Sequence, residues 1–202
     1  MKKGFTLAEV LITLAILGVV AAVTLPNMVQ DTKYQQLGVK LAKFASTLEN
    51  AAPAYAVGLG GEIGSNDLND FVKSAFLLKN SNSYFEISNN YSMGETELKD
   101  STQVGFSSNV TNAIAYKAQT SVVGEPVLIV RYRPDKKLAS SLGPLTNSPV
   151  SNTFFFVVTE KGFVYPMDGI SGFPNTCLKK IYDEGYVVKA SFYKQGKECY
   201  DQ

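Results

Sequence analysis

The chain has no histidine and no tryptophan in 202 residues, and only two cysteines. Without histidine, Ser-His-Asp and Cys-His nucleophilic sites and imidazole-ligated metals are excluded. Two thiols are too few for a four-thiolate zinc site. A phosphate-binding loop is missing too. Gly58-Leu59-Gly60-Gly61 lacks the Lys-Ser/Thr such a loop requires and reads as the end of a helix. Nor is there an excess of charge of one sign. Nineteen basic against eighteen acidic residues leave a net +1, which argues against general affinity for nucleic acid or anionic membranes. Acidic residues are scattered along the chain, and no acid–base pair stands out. We expect no enzymatic activity, no cofactor and no metal.

What is present is concentrated at the start. Met1-Lys2-Lys3-Gly4 is a short basic leader, and Phe5 to Leu25 follows as 21 residues with one formal charge, Glu9. As an α-helix this run covers roughly 31 Å, the thickness of a bilayer's hydrocarbon core. A carboxylate at the centre of a spanning helix costs roughly 2.5–3.5 kcal/mol on insertion scales. Glu9 therefore suggests a function that needs a partner. Two plainer readings also start from these residues. One is a secretory signal peptide cut near Val20-Ala21-Ala22, against which stands Glu9 inside its apolar region. The other is a simple single-span anchor, with Glu9 snorkelling to the headgroups.

The string Lys3-Gly4-Phe5-Thr6-Leu7-Ala8-Glu9-Val10-Leu11-Ile12 resembles the class III leader and first helix of type IV pilins and type II secretion pseudopilins. The resemblance implies cleavage between Gly4 and Phe5 by a prepilin peptidase, followed by N-methylation of Phe5. It places the family's assembly glutamate on Glu9 and its helix-breaking proline on Pro26. It implies a filament-forming structural subunit, with other minor pilins and an inner-membrane assembly platform as partners. The precursor would be a single-pass inner-membrane protein with a periplasmic head. The assembled form would be a periplasmic or extracellular filament. The free amine on Phe5 is mostly cationic at neutral pH. A neighbouring subunit's Glu9 is suited to pair with it, setting register more than adding stability.

The rest of the chain reads as the head. Residues 27–57 continue as an amphipathic helix, with Tyr34, Leu37, Leu41, Phe44, Leu48, Ala51 and Tyr55 at spacings of three and four. That stripe is wide enough to cover one sheet face. Pro26 is expected to kink or locally melt the helix, and Pro53 to weaken it before the glycines at 58, 60 and 61 stop it. A second helix is expected over roughly 67–79, capped by Ser65 or Asn66. Residues 80–112 read as a long connection with one or two short strands. Strands are expected at 113–118, 127–133, 153–159, 162–165 and 186–193, with Gly162 at a hairpin bulge. The organisation is thus a leader (1–4), a membrane and filament-core helix (5–25), its amphipathic continuation (26–57) and an α+β head on an antiparallel sheet (58–202).

Cys177 and Cys199 stand 22 positions apart near the C-terminus. Translocation, which the leader implies, would place them in an oxidising compartment and favour a disulfide. The resemblance agrees, since many type IV pilins close a C-terminal loop this way. Two free buried thiols are the alternative. Lys179, Lys180, Lys189, Lys194 and Lys197 interleave with Tyr182, Tyr186, Phe192, Tyr193 and Tyr200, which reads as a solvated loop more than a single-stranded nucleic-acid platform. Asp168 alone is too little for calcium, which takes six to eight oxygens.

Overall fold

A computed structural model of the chain describes residues 6–76, 87, 96–111, 113–114, 123–134, 153–168, 177–189 and 192, with residues 26–31 described by their backbone alone. Helix α1 runs from Leu7 to Gly58 as 52 residues without interruption, a rod of about 78 Å. The helix does not melt at Pro26, and it continues through Pro53 to the glycines expected to stop it. A proline removes one donor locally, while the turns on both sides keep their own bonds. Continuing past it costs less than nucleating a new helix. Gly60 and Gly61 take positive φ, and their N–H groups donate to the Val57 and Ala56 carbonyls at 3.1 and 2.8 Å, closing the helix as their positions suggest.

Helix α2 spans Leu68–Ala75. Neither Ser65 nor Asn66 is its N-cap. That position is held by Asp67, whose carboxylate accepts from the Gly64 N–H at 3.0 Å instead of capping the helix. Five strands follow: β1 Thr96–Glu97, β2 Gln103–Ser107, β3 Pro126–Arg133, β4 Phe154–Thr159 and β5 Val164–Met167. They form one antiparallel sheet in sequence order. Helix α3, Leu178–Asp183, closes the described elements. The architecture is a pilin-like α+β fold.

Two strand expectations fail. Ala113 and Ile114 lie in a helical turn, with the Ile114 N–H donating to the Val110 carbonyl at 2.9 Å; 115–118 are outside the described residues. Residues 186–189 are not a strand. Gly185 and Tyr186 have φ of 71° and 66°, which breaks any extended run. The β-branched pair Val187-Val188 is split instead, with Val188 buried and Val187 half-exposed. The irregular backbone here is accommodated by Gly38 of α1. A Cβ built on Gly38 would lie 2.4 Å from the Tyr186 carbonyl oxygen.

The core lies between the second half of α1 and one sheet face. Leu37, Leu41, Ala45, Leu48 and Ala52 are fully buried, and so are Leu128, Val130, Phe154, Phe156 and Val158 opposite them. Period-2 alternation makes the strand set. Leu128 pairs with Val158, Val130 with Phe156 and Tyr132 with Phe154, and all six face the helix. Phe44 is the hub, with ring centroids 4.6 Å from Tyr132, 5.5 Å from Phe76 and 5.6 Å from Phe156. The reverse face is apolar too. Ile129, Phe155, Val157, Tyr165 and Met167 are buried there with Ala113. The helix stripe covers the first face, as its width suggests, and the second face is packed separately.

The β4–β5 turn locks the sheet to α1. Gly162 has φ of 78°, and its N–H donates to the Thr159 carbonyl at 2.9 Å. A Cβ there would lie 2.7 Å from the Ala52 carbonyl oxygen and 2.8 Å from Pro53 Cα. Gly185 has a similar φ with open space around it. We expect Gly185→Ala to cost only the left-handed strain, about 1–2 kcal/mol. Gly162→Ala should cost about 2–4 kcal/mol, because it adds the backbone clash. Urea unfolding of the two variants separates these contributions, and equal losses would refute the clash.

Tyr186 carries a buried hydroxyl oxygen with no hydrogen-bond partner among the described residues. Burial raises its pKa well above the ordinary 10.0, and Glu49 and Tyr182 add to the shift. An unfolded tyrosine ionises first, so the stability this group contributes is present below pH 10 and is lost as pH rises beyond it. Tyr186→Phe should therefore be neutral or stabilising by up to about 1 kcal/mol at pH 7, with a flatter decline above pH 10. Denaturation midpoints across pH check both. A loss at pH 7 would mean the hydroxyl is needed.

Candidate functional site

The site begins with what the head does not use. Leu7–Leu25 has a mean hydropathy of 2.4 and none of its most apolar window is buried. It is long and apolar enough to cross a membrane. Leu11, Ile12, Leu14, Ile16, Leu17 and Val19 are each more than half exposed, whereas the same helix is buried along one face from Tyr34 onward.

Its polar side chains are satisfied within the helix. Thr6 is the N-cap, with extended backbone at φ −77° and ψ 151°. The Thr6 N–H and Oγ1–H both donate to Glu9 Oε2 at 2.8 Å, and the Glu9 N–H donates to Thr6 Oγ1 at 3.3 Å. This is a reciprocal capping box. Thr13 Oγ1 donates to the Glu9 and Val10 carbonyls, each at 2.9 Å, and Thr24 Oγ1 to the Val20 carbonyl at 2.9 Å. Glu9, Thr13 and Thr24 are the only polar side chains of the run. The two threonine hydroxyls are thus paired inside the helix and Glu9 Oε2 accepts two bonds from Thr6, which lowers the cost of an apolar surrounding without removing the carboxylate's charge. Sequence reading treated Glu9 as seeking a partner outside its own chain and overlooked Thr6. The signal was there, because Thr-x-x-Glu before an apolar run is the capping-box pattern.

The prokaryotic N-terminal methylation motif matches residues 1–25. These residues are a class III prepilin leader with its first helix. No curated protein and no solved structure matches the chain. The leader type is that of type IV pilins and pseudopilins, structural subunits rather than enzymes. A leader of this type implies, in general, processing by prepilin peptidase and filament assembly, and the apolar helix here fits an inner-membrane-anchored precursor. Gly4 and Phe5 lie outside the described residues, and Pro26 is described by its backbone only.

The remaining candidates spread over the head. Cys177 is buried and takes φ of 55° at the start of α3; Cys199 lies outside the described residues. Among the basic residues of this region, Lys179 pairs with Asp183 and Lys189 with Glu184, each at 2.7 Å. Lys180 and Lys189 both sit 5.6 Å from the Phe192 ring centroid. The helix α3 and these pairs replace the solvated loop expected there. Lys194, Lys197, Tyr193 and Tyr200 lie outside the described residues. Asp168 is buried, and among the described residues no group of three or more acidic or thiol side chains gathers as a metal site.

Thr6→Val keeps the shape of the cap and removes the hydroxyl. It should cost about 1 kcal/mol at the first turn. In micelles, amide exchange at Glu9 and Val10 should speed up about fivefold, while Thr6→Ser stays near wild type. Unchanged exchange in Thr6→Val would show that the box does not hold the helix start.

Proposed function

We propose that the chain is a structural subunit of a type IV pilus or pilus-like filament. The observation that carries this reading is the contrast along α1, whose first half is apolar and exposed and whose second half is the spine of a folded head. The exposed half serves two solvents in turn, lipid in the precursor and neighbouring helices in the filament. Residues 1–4 are removed between Gly4 and Phe5, and Phe5 is methylated. Residues 5–25 form the membrane and filament-core helix, 26–57 its continuation, and 58–202 complete a head on the periplasmic side.

Glu9 then has two partners at different times. In the membrane its carboxylate is held by its own Thr6, which lowers the cost of carrying an acid into the bilayer. During assembly the amine of a neighbour's Phe5 competes for it. A cation bound to a buried carboxylate outweighs a neutral hydroxyl bond. Removing one side of such a pair costs about 3–5 kcal/mol in a dry core. Cys177 pairs with Cys199 and ties the end of the chain to α3. That disulfide favours a pilin or minor pseudopilin over a major pseudopilin, and a secretion pseudopilin is the alternative within this family.

The test is Glu9→Ala. Membrane insertion should be unchanged or improved, and sheared-filament yield should fall more than tenfold, in line with a loss of at least about 1.4 kcal/mol per contact. Normal filament yield would remove the pairing. Absence of filaments from wild-type cells expressing the full assembly machinery would favour a monomeric, membrane-anchored binding module.

A further inference from the structure

A groove of about 230 Å³ opens between the middle of α1 and the β1–β2 turn. Its apolar floor is made by Phe44, Phe76, Leu98 and Tyr132, and Lys40, Lys43, Lys99 and Asp100 also line it. Asp100 is the one carboxylate among these described lining residues, and Lys43 and Lys99 are exposed beside it. That carboxylate is only weakly engaged, since Lys43 Nζ and Asp100 Oδ2 are 4.0 Å apart with their side chains 75% and 47% exposed. A competing anion displaces such a pair at little cost. Asp100 is also held locally, accepting from the Thr102 N–H at 3.1 Å, so the turn does not depend on Lys43.

We propose that this groove docks an acidic segment of a partner protein, with one aromatic side chain on the floor and its flanking carboxylates on Lys43 and Lys99. Charge complementarity sets the sign of the ligand, and the floor sets its apolar part. Magnitude decides between a free small molecule and a segment. One ring and two exposed ion pairs give no better than roughly millimolar affinity. A free metabolite rarely meets that concentration. A segment already held nearby by other contacts has an effective concentration in the millimolar range. A lipid headgroup is out of reach on the membrane reading of Leu7–Leu25. Lys40 stands about 22 Å beyond Leu25 along the helix.

The probe is the peptide Asp-Asp-Phe-Asp-Asp with 4-fluorophenylalanine at its centre, observed by fluorine NMR against the full chain in detergent micelles. We expect saturable broadening with an apparent Kd of roughly 1 mM at low salt, weakened several-fold in about 0.5 M salt. The double variant Lys43→Glu/Lys99→Glu changes two exposed residues and should weaken binding at least about tenfold. Ser-Ser-Phe-Ser-Ser and 4-fluorophenylacetate should both bind several-fold more weakly than the acidic peptide. Equal binding by the double variant, or by the serine peptide, would overturn the proposal. Equal binding by 4-fluorophenylacetate would assign the groove to small carboxylates and overturn it as a protein-docking site. So would no saturation by the acidic peptide. None of these readouts depends on filament assembly, so failure here leaves the proposed function standing, and the reverse holds as well.

Discussion

An apolar surface without a partner in its own chain governs the rest of this molecule. Eleven large aliphatic side chains between Leu7 and Leu25 are 43–77% exposed. Removing that much surface from water is worth on the order of 10 kcal/mol or more. That matches the entire stability of a typical domain, about 5–15 kcal/mol. No state with this helix in water competes with one that covers it. A surrounding that covers it, such as lipid or other helices, is strongly favoured over water. The hydrogen bonds of Thr6, Thr13 and Thr24 leave those hydroxyls no need of water, and Thr6 holds one oxygen of the Glu9 carboxylate.

The head answers a different demand. It must fold around a helix whose other end is committed elsewhere, so its core is built on the far side of α1. Phe44 and the leucines at 37, 41 and 48 meet alternate residues of β3 and β4, and the β4–β5 turn presses on Ala52 and Pro53 through Gly162. A further tie joins the same end of the fold, where the Ile63 N–H donates to the Glu160 carbonyl at 2.7 Å and Lys161 pairs with Glu62. The second half of the 52-residue helix is thereby fixed to the sheet at several points.

Much of this was legible in the sequence, for identifiable reasons. The run from Phe5 to Leu25 and the stripe from Tyr34 to Leu48 are long periodic signals, and tertiary context does not override them. The β4–β5 hairpin was legible because Gly162 marks its bulge. Pro26 does not melt the helix, because proline's penalty is local and a helix of 52 residues absorbs it. Residues 186–189 misled because Val187-Val188 favour a strand while Gly185 and Tyr186 adopt a left-handed turn that only the packing against Gly38 explains. Ala113-Ile114 was too short an alternation to separate strand from helical turn. The capping box was readable and was missed. The groove was not readable, since it joins residues from α1, α2, the β1–β2 turn and β3.

The most direct measurement is the intact mass of the native mature chain. Cleavage of the leader predicts a chain that lacks residues 1–4 and carries one methyl group on the amine of Phe5, with Leu7–Leu25 retained. A chain beginning near Val23 would mean that the apolar helix is discarded as a signal peptide, and one retaining Met1 would mean an uncut anchor. Either would contradict the account of a helix that passes from lipid into a filament core.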